Sequence, residues 1–201
     1  MRRIATPVFV AFFVLSLPAL ADGPKVSRLP GVAGQSPDIL KTPGPDMLNL
    51  TLARAHTPEI ARAAGQFALA LRNDAVTPRI LRELTIMRTA VIVGSDYEIN
   101  QHVPMIRACG YSQEKMEAVK QWRNSPLFDE RERSILAFVD QMAGGGDVDD
   151  ATWTTLARLN SPREIDEIAL TVANYVGTGL YTKALRIEIE TDGRQASFGK
   201  C

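Results

Sequence analysis

The chain has 201 residues but only two cysteines, two histidines and two tryptophans. No Cys-x-x-Cys pair occurs, so a dithiol redox centre is excluded. The cysteines are Cys109, inside a helical pattern, and Cys201, the last residue; their spacing leaves a bridge between them open without requiring it. Charge of one sign is also missing, with 23 basic against 23 acidic residues. No basic stripe interleaved with aromatics appears, which excludes a nucleic-acid binder. Past the first 21 residues no run is apolar enough to span a bilayer. No stretch alternates polar and apolar over a strand length, so a sheet has nothing to be built from.

What is present begins with a leader. Arg2 and Arg3 precede an apolar run from Val8 to Leu17, broken only by Ser16 and flanked by Pro7 and Pro18. Ala19-Leu20-Ala21 then supplies the small-x-small pattern of a signal peptidase site. Residues 1–21 therefore read as a signal peptide cleaved after Ala21, and the mature protein as periplasmic or secreted. Losing Arg2 and Arg3 from the 23 basic residues leaves 21 against 23 acidic, a mildly acidic product with no membrane segment. Residues 22–45 are rich in Pro, Gly and Ser and read as a flexible arm. A helical domain is expected over 46–190, followed by a C-terminal tail over 191–201.

Within that domain the apolar residues repeat with helical period. Three starts share one pattern, Thr57-Pro58, Thr77-Pro78 and Ser161-Pro162: a hydroxyl residue placed to cap and a proline whose missing N–H costs nothing in the first turn. Ser161 with Glu164 completes a capping box. Helices are predicted over 47–55, 57–72, 78–93, 97–108, 112–122, 129–143, 149–158 and 162–188, the last with a break near Gly177–Gly179. Gly94, Gly110 and Gly144–Gly146 punctuate them. The fold class is all-α, a compact helical bundle.

Two of these helices carry ionisable groups where a core should be. On 78–93, Ile80, Ile86, Met87, Ala90 and Val91 share a side, and Glu83 falls in the middle of it. Arg82, Thr85, Arg88 and Thr89 fall on the other. On 97–108, Glu98, Ile99, His102, Met105, Ile106 and Cys109 share a face, with Tyr97, Asn100, Arg107 and Ala108 away from it. Glu98 and His102 are four apart, hence neighbours. Pro104 removes one backbone bond and predicts a local kink. A buried carboxylate needs a partner or a raised pKa. A single inward histidine is ordinarily a satisfied core residue, but Glu83, Glu98 and His102 aimed inward by adjacent helices form a candidate acid–base cluster. The Glu98/His102 spacing also suits a metal, with Glu83 as a third ligand, yet no second histidine follows at ligand spacing. The expectation is a site without metal or cofactor.

The stretch RELTIMRTAVIVGSDYEINQHVPMIRACGYSQEKMEAV, residues 82–119, resembles the carboxymuconolactone decarboxylase family, which includes alkylhydroperoxidase D. The resemblance rests on Arg-Glu-Leu opening one helix, Tyr-Glu with His four residues after the Glu, then Pro and Gly-x-Ser. LARAHTPEIARA before it and NYVGTGLYTKALRIE after it extend it over most of 47–188. It implies an alkylhydroperoxidase D-like helical bundle and a homo-oligomer, trimer or hexamer. The peroxidase branch relays protons through Glu, a Cys-x-x-Cys pair and His; here Ser95 and Glu98 stand where the cysteines would be. The decarboxylase branch works with Glu and His on a carboxylated lactone without a cofactor. The resemblance thus implies a carboxy-lyase-like enzyme for a small carboxylated or lactone-like molecule, with Glu83, Glu98 and His102 as catalytic residues. No cation to hold an anionic substrate is evident, since Arg82, Arg88 and Arg107 point away from the cluster. A non-catalytic oligomeric ligand-binding or stress-related protein is the alternative, and a residual thiol peroxidase relying on Cys109 a third.

Overall fold

The computed structural model describes residues 47–195 and Cys201. The expected signal peptide and the arm over 22–45 lie outside the described residues. Among those described, eight α-helices and no strand are found: α1 (Asn49–Arg54), α2 (Pro58–Asn73), α3 (Arg79–Val93), α4 (Asp96–Ala108), α5 (Gln113–Ala118), α6 (Glu130–Ala143), α7 (Asp150–Leu159) and α8 (Pro162–Leu185). The segment expected to be one helix over 112–122 is α5 followed by a 3₁₀ turn, Val119–Asn124, with Gln121 outside helical dihedrals.

Caps explain most of the boundaries. Ser95, Ser112, Asp129, Asp149 and Ser161 each accept a bond from the backbone N–H three residues on. Asp129–Glu132 and Ser161–Glu164 form complete capping boxes. Two expected caps are not made. Thr57 precedes α2 without a side-chain cap bond. Thr77 does not cap α3, which starts at Arg79 after Pro78. Its hydroxyl and N–H go instead to Glu167 Oε2, at 2.7 and 2.8 Å, because a buried carboxylate on α8 is the stronger acceptor. Nor does α8 break at Gly177–Gly179; it runs unbroken to Leu185. Gly179 is there for proximity: a Cβ on it would sit 2.9 Å from Val93 Cγ2 and 3.3 Å from Ser95 Cβ.

α3 is the centre of the bundle, packed by α4, α6 and α8. Leu84, Met87, Ile106, Trp122, Phe128 and Leu136 form one core cluster. Leu81, Ile135, Phe138, Leu156, Ile168 and Val172 form the other large one. The polar side assigned to α3 is therefore not a solvent face: Thr85 and Thr89 are fully buried and Arg82 nearly so. The helix tolerates this because both threonines bond back to carbonyls four residues earlier, Leu81 and Thr85. Arg82 reaches the carbonyls of Leu71 and Arg72 at the end of α2, and Arg88 bonds Asp140 at 2.5 Å. Tyr97 is also buried, contrary to its expected outward position. Ala53 and Ile187 pack on it, and its hydroxyl donates to Glu190 at 2.8 Å.

The end of the chain lies against α4. Glu190 accepts from Tyr97, from Gln101 Nε2 at 2.5 Å and from the N–H of Asn49 at 2.6 Å. Farther along, Cys201 is disulfide-bonded to Cys109, with the Cα atoms 5.1 Å apart. The bridge left open by the spacing is thus closed in the structure.

Candidate active site

α3 and α4 are joined by a tight turn at Gly94, whose left-handed φ of 66° a glycine adopts without strain. Ser95 Oγ caps α4 and approaches Thr182 Oγ1 at 3.0 Å, which holds the turn to α8. That turn sets α4 back along α3 and brings together the three residues expected to act. Glu83, Glu98 and His102 are each only 3% exposed.

They form a chain with the imidazole in the middle. His102 Nδ1 lies 2.7 Å from Glu83 Oε2, and its Nε2 lies 3.6 Å from Glu98 Oε2. Two carboxylates on opposite ring nitrogens make a relay rather than a tripod around one point, and among the described residues no group of three or more His, Cys, Asp and Glu is arranged to hold a metal ion. Glu83 also accepts from Arg79 Nε at 2.8 Å. The Tyr175 ring stands edge-on to the imidazole, with centroids 5.1 Å apart. α4 keeps helical form through Pro104 as one element.

The two carboxyl groups sit in opposite electrostatic settings. Burial pushes Glu83 up, but the hydrogen bonds and charges of His102 and Arg79 outweigh it and hold the group below the usual carboxylate range. Glu83 is therefore an acceptor-only carboxylate, and Nδ1 of His102 donates to it. Nε2 then faces Glu98. Burial raises Glu98 above the usual range, and the nearby charges of His102, Arg54 and Arg72 offset only part of that. Its Oε1 is buried without a hydrogen-bond partner. Buried carboxyl groups whose surroundings drive their pKa values apart are the pattern that acid–base pairs follow, and here that pair is Glu83 and Glu98 with His102 between them.

This arrangement predicts an inverse dependence of stability on function at Glu98. Its folded pKa is raised, so its ionisation costs stability as pH rises through that value, while below the ordinary carboxyl range there is no cost. Glu83 has the opposite sign: its contribution is present above the ordinary range and is lost as pH falls through its lowered value. Glu98→Gln should then stabilise the fold by about 1 kcal/mol at alkaline pH and leave it unchanged in acid. Thermal melts of both proteins across pH check this; equal melting temperatures at every pH would show that Glu98 is not held at a cost.

Sequence reasoning missed the α8 contribution and the cations. Tyr175 is buried against His102, and burial raises its hydroxyl well above the usual tyrosine range. Its place on the apolar face of the long helix, seven residues after Ile168, was the available signal. Arg79 on α3, Arg72 on α2 and Arg54 on α1 supply the positive charge. Arg82, Arg88 and Arg107 do bond elsewhere, Arg107 to Gln113. The space at the cluster is small: a cavity of about 10 Å³ lined by Leu71, Arg72, Glu83, Thr171 and Tyr175, room for one water at most. A cavity of about 500 Å³ lies at the turn instead, beside Ser95, Thr182 and Ile187, and none of the three cluster residues lines it. Ser95, which stands at one redox-cysteine position, is engaged in capping, and with Cys109 and Cys201 bridged the described residues hold no free thiol. The reading of a thiol peroxidase relying on Cys109 loses its nucleophile.

The all-α bundle thus holds one histidine between buried glutamates of adjacent helices. Residues 58–141 of this chain match the model of the Carboxymuconolactone decarboxylase family. Its fold is that of the alkylhydroperoxidase D-like proteins. A protein of unknown function from Agrobacterium tumefaciens, regarded as a candidate antioxidant defence protein, superposes with a TM-score of 0.65 at 22% identity, over 70% of this chain and 97% of that one. A debrominase solved with 2,3,4-tribromopyrrole gives 0.66 at 22%, over 72% and 78%. A peroxidase-related protein from Silicibacter sp. gives 0.65 at 19%, over 71% and 76%. No curated protein matches the sequence.

Proposed function

We propose that this protein is an exported, cofactor-independent enzyme that uses Glu/His acid–base chemistry on a small carboxylated or lactone-like molecule. The observation that carries the reading is the Glu83–His102–Glu98 chain, buried, with its two carboxyl groups displaced in opposite directions. In a decarboxylation the C–CO₂ bond breaks and its electron pair moves into the conjugated lactone carbonyl. CO₂ leaves and an extended enolate remains. Glu98 then gives its proton to the carbanionic carbon, and His102, oriented by Glu83, returns a proton to Glu98 from solvent. The net change is one proton consumed and one CO₂ released. Burial raises Glu98 above the usual carboxylate range, so it holds its proton more firmly than a solvated carboxyl, which favours it as the donor. The test is CO₂ release from a panel of unsaturated γ-lactone carboxylates, with His102→Ala as the control. Binding across that panel without any product would support a non-catalytic scaffold instead.

Assembly into a homo-oligomer is part of the same proposal. α2 contributes no buried side chain, and Ile60 and Phe67 on it are 68% and 41% exposed. On α8, Leu170 and Leu180 are 39% and 52% exposed. Exposed apolar side chains of this size on two helices are ordinarily covered. Light scattering should show a trimer or hexamer that Phe67→Ser combined with Leu180→Ser dissociates; a wild-type monomer at micromolar concentration would remove this part of the proposal.

A further inference from the structure

We propose that Arg72 and Tyr175, at the cleft between α2 and α8, form an oxyanion seat that takes up the negative charge developing on the substrate's carbonyl oxygen. The inference rests on the decarboxylase reading, which leaves one task unassigned. Glu83, His102 and Glu98 account for the proton; nothing in that chain holds the enolate oxygen.

Three observations assign it. The Arg72 guanidinium, from the last turn of α2, bonds the Tyr175 hydroxyl, and its charge also bears on Glu98. A hydroxyl that accepts from a guanidinium keeps its own proton to donate, and burial ensures that Tyr175 retains that proton. The seat is thus a charged donor backing a neutral one, and it strengthens as negative charge accumulates. Second, the charge balance is right. Arg79 neutralises Glu83, and Arg54 stands over Tyr181 with Nη2 3.2 Å from Thr178. Arg54 and Arg72 bear on Glu98 and Arg79 on Glu83, so guanidinium charge is already gathered where the oxyanion would form. Third, Glu98 Oε1 is buried with no partner, so a group still to arrive completes it. That group is an oxyanion-bearing, proton-accepting substrate. It is larger than the cavity of about 10 Å³ beside Tyr175, so the first turns of α2 give way while its last turn, whose Leu71 and Arg72 carbonyls Arg82 holds, keeps Arg72 in place. The inner side of those first turns is Ala61, Ala64, Gly65 and Ala68, with no buried side chain, so their displacement forfeits little apolar contact.

The seat is read without turnover by titrating the full-length mature protein with 4-nitrophenol and following the phenolate absorbance. The wild type should bind the phenolate in preference to the phenol, so the bound chromophore ionises at lower pH than the free one. Tyr175→Phe and Arg72→Gln should each weaken phenolate binding about 10-fold or more. Arg72→Lys should restore part of it, and Arg62→Gln, on the exposed side of α2, should change nothing. Absence of phenolate binding to the folded wild type, or equal binding by Tyr175→Phe and Arg72→Gln, overturns the seat. The two readings fail separately. Phenolate binding without CO₂ release from any lactone would retire the decarboxylase and keep the seat; turnover with unaffected phenolate affinity in both variants would do the reverse.

Discussion

His102→Ala is expected to lower turnover by about 10²–10⁴-fold, the range that a positioned acid–base group contributes. The loss should fall on kcat more than on KM, because the imidazole moves the proton and makes no substrate-holding contact in the proposed mechanism. The fold should survive. Glu83 would lose the bond from Nδ1 but keep the 2.8 Å bond from Arg79, and Glu98 would lose the 3.6 Å contact with Nε2 while keeping the charges of Arg54 and Arg72. A cost of about 1–3 kcal/mol follows from the lost bond and the small void beside Tyr175. His102→Gln is the sharper variant: its amide can donate to Glu83 but cannot relay a proton, so stability should recover while turnover does not. Steady-state kinetics with thermal melts on both variants decide the matter. A His102→Ala enzyme with wild-type kcat on a confirmed substrate would end the proposed role of the relay.

Removing the disulfide is the second large effect. Cys109 and Cys201 are 92 residues apart in sequence, so the bridge closes a loop that spans α5 to α8. Loop-closure entropy lost from the unfolded chain is worth about 2–4 kcal/mol for typical bridges, and a loop this long lies toward the upper end. For a chain of this size that is a fall of on the order of 10 °C in melting temperature. Cys109→Ser should melt lower by that amount, and reductant should bring the wild type to the same temperature while leaving the variant unmoved. The consequence reaches the site through geometry. Upstream of Cys201, Glu190 holds Tyr97 and Gln101 of α4, and α4 carries both Glu98 and His102. The same sample tests export. An intact mass beginning at Asp22 and short of two hydrogens would show both leader cleavage and the bridge. A wild type whose melting temperature ignores reductant would show that the bridge contributes nothing.

Much of the site was readable before any coordinates, and for a definite reason. Glu98 and His102 are an i,i+4 pair, and helix geometry alone makes them neighbours. Glu83 lies in the middle of the apolar arc of its helix, so its inward direction follows from periodicity. Their meeting needed only a short reversal at Gly94, which the chain also announces. Tyr175 is different. It comes from a helix more than 70 residues later, and no local rule states that α8 lies across α3 and α4. Arg54 and Arg72 are the same case: an arginine on a helix reads as solvated until packing shows what its side chain faces.

The mistaken expectations have related causes. Thr77 was assigned as a cap because a hydroxyl before Pro78 ordinarily is one. Glu167, 90 residues away, bonds both its hydroxyl and its N–H. Helical periodicity puts Arg82, Thr85 and Thr89 on a polar side of α3, opposite its apolar residues. The bundle buries it, satisfying each threonine within the helix and the arginine on the carbonyls ending α2. Tyr97 lies off the apolar face of α4, and it is Ala53 and Ile187, from segments distant in sequence, that bury it.

By itself, then, the sequence determined the helices, most of their caps, the all-α class and the three ionisable groups, because those depend on spacings of three or four residues along one chain segment. The tertiary structure decided how α8 closes over the relay, which arginines bring charge to it, which helix face counts as surface, and that Cys109 and Cys201 meet. Each of these is a contact between segments distant in sequence. Burial, which sets the opposite pKa displacements of Glu83 and Glu98, exists only once those segments have packed.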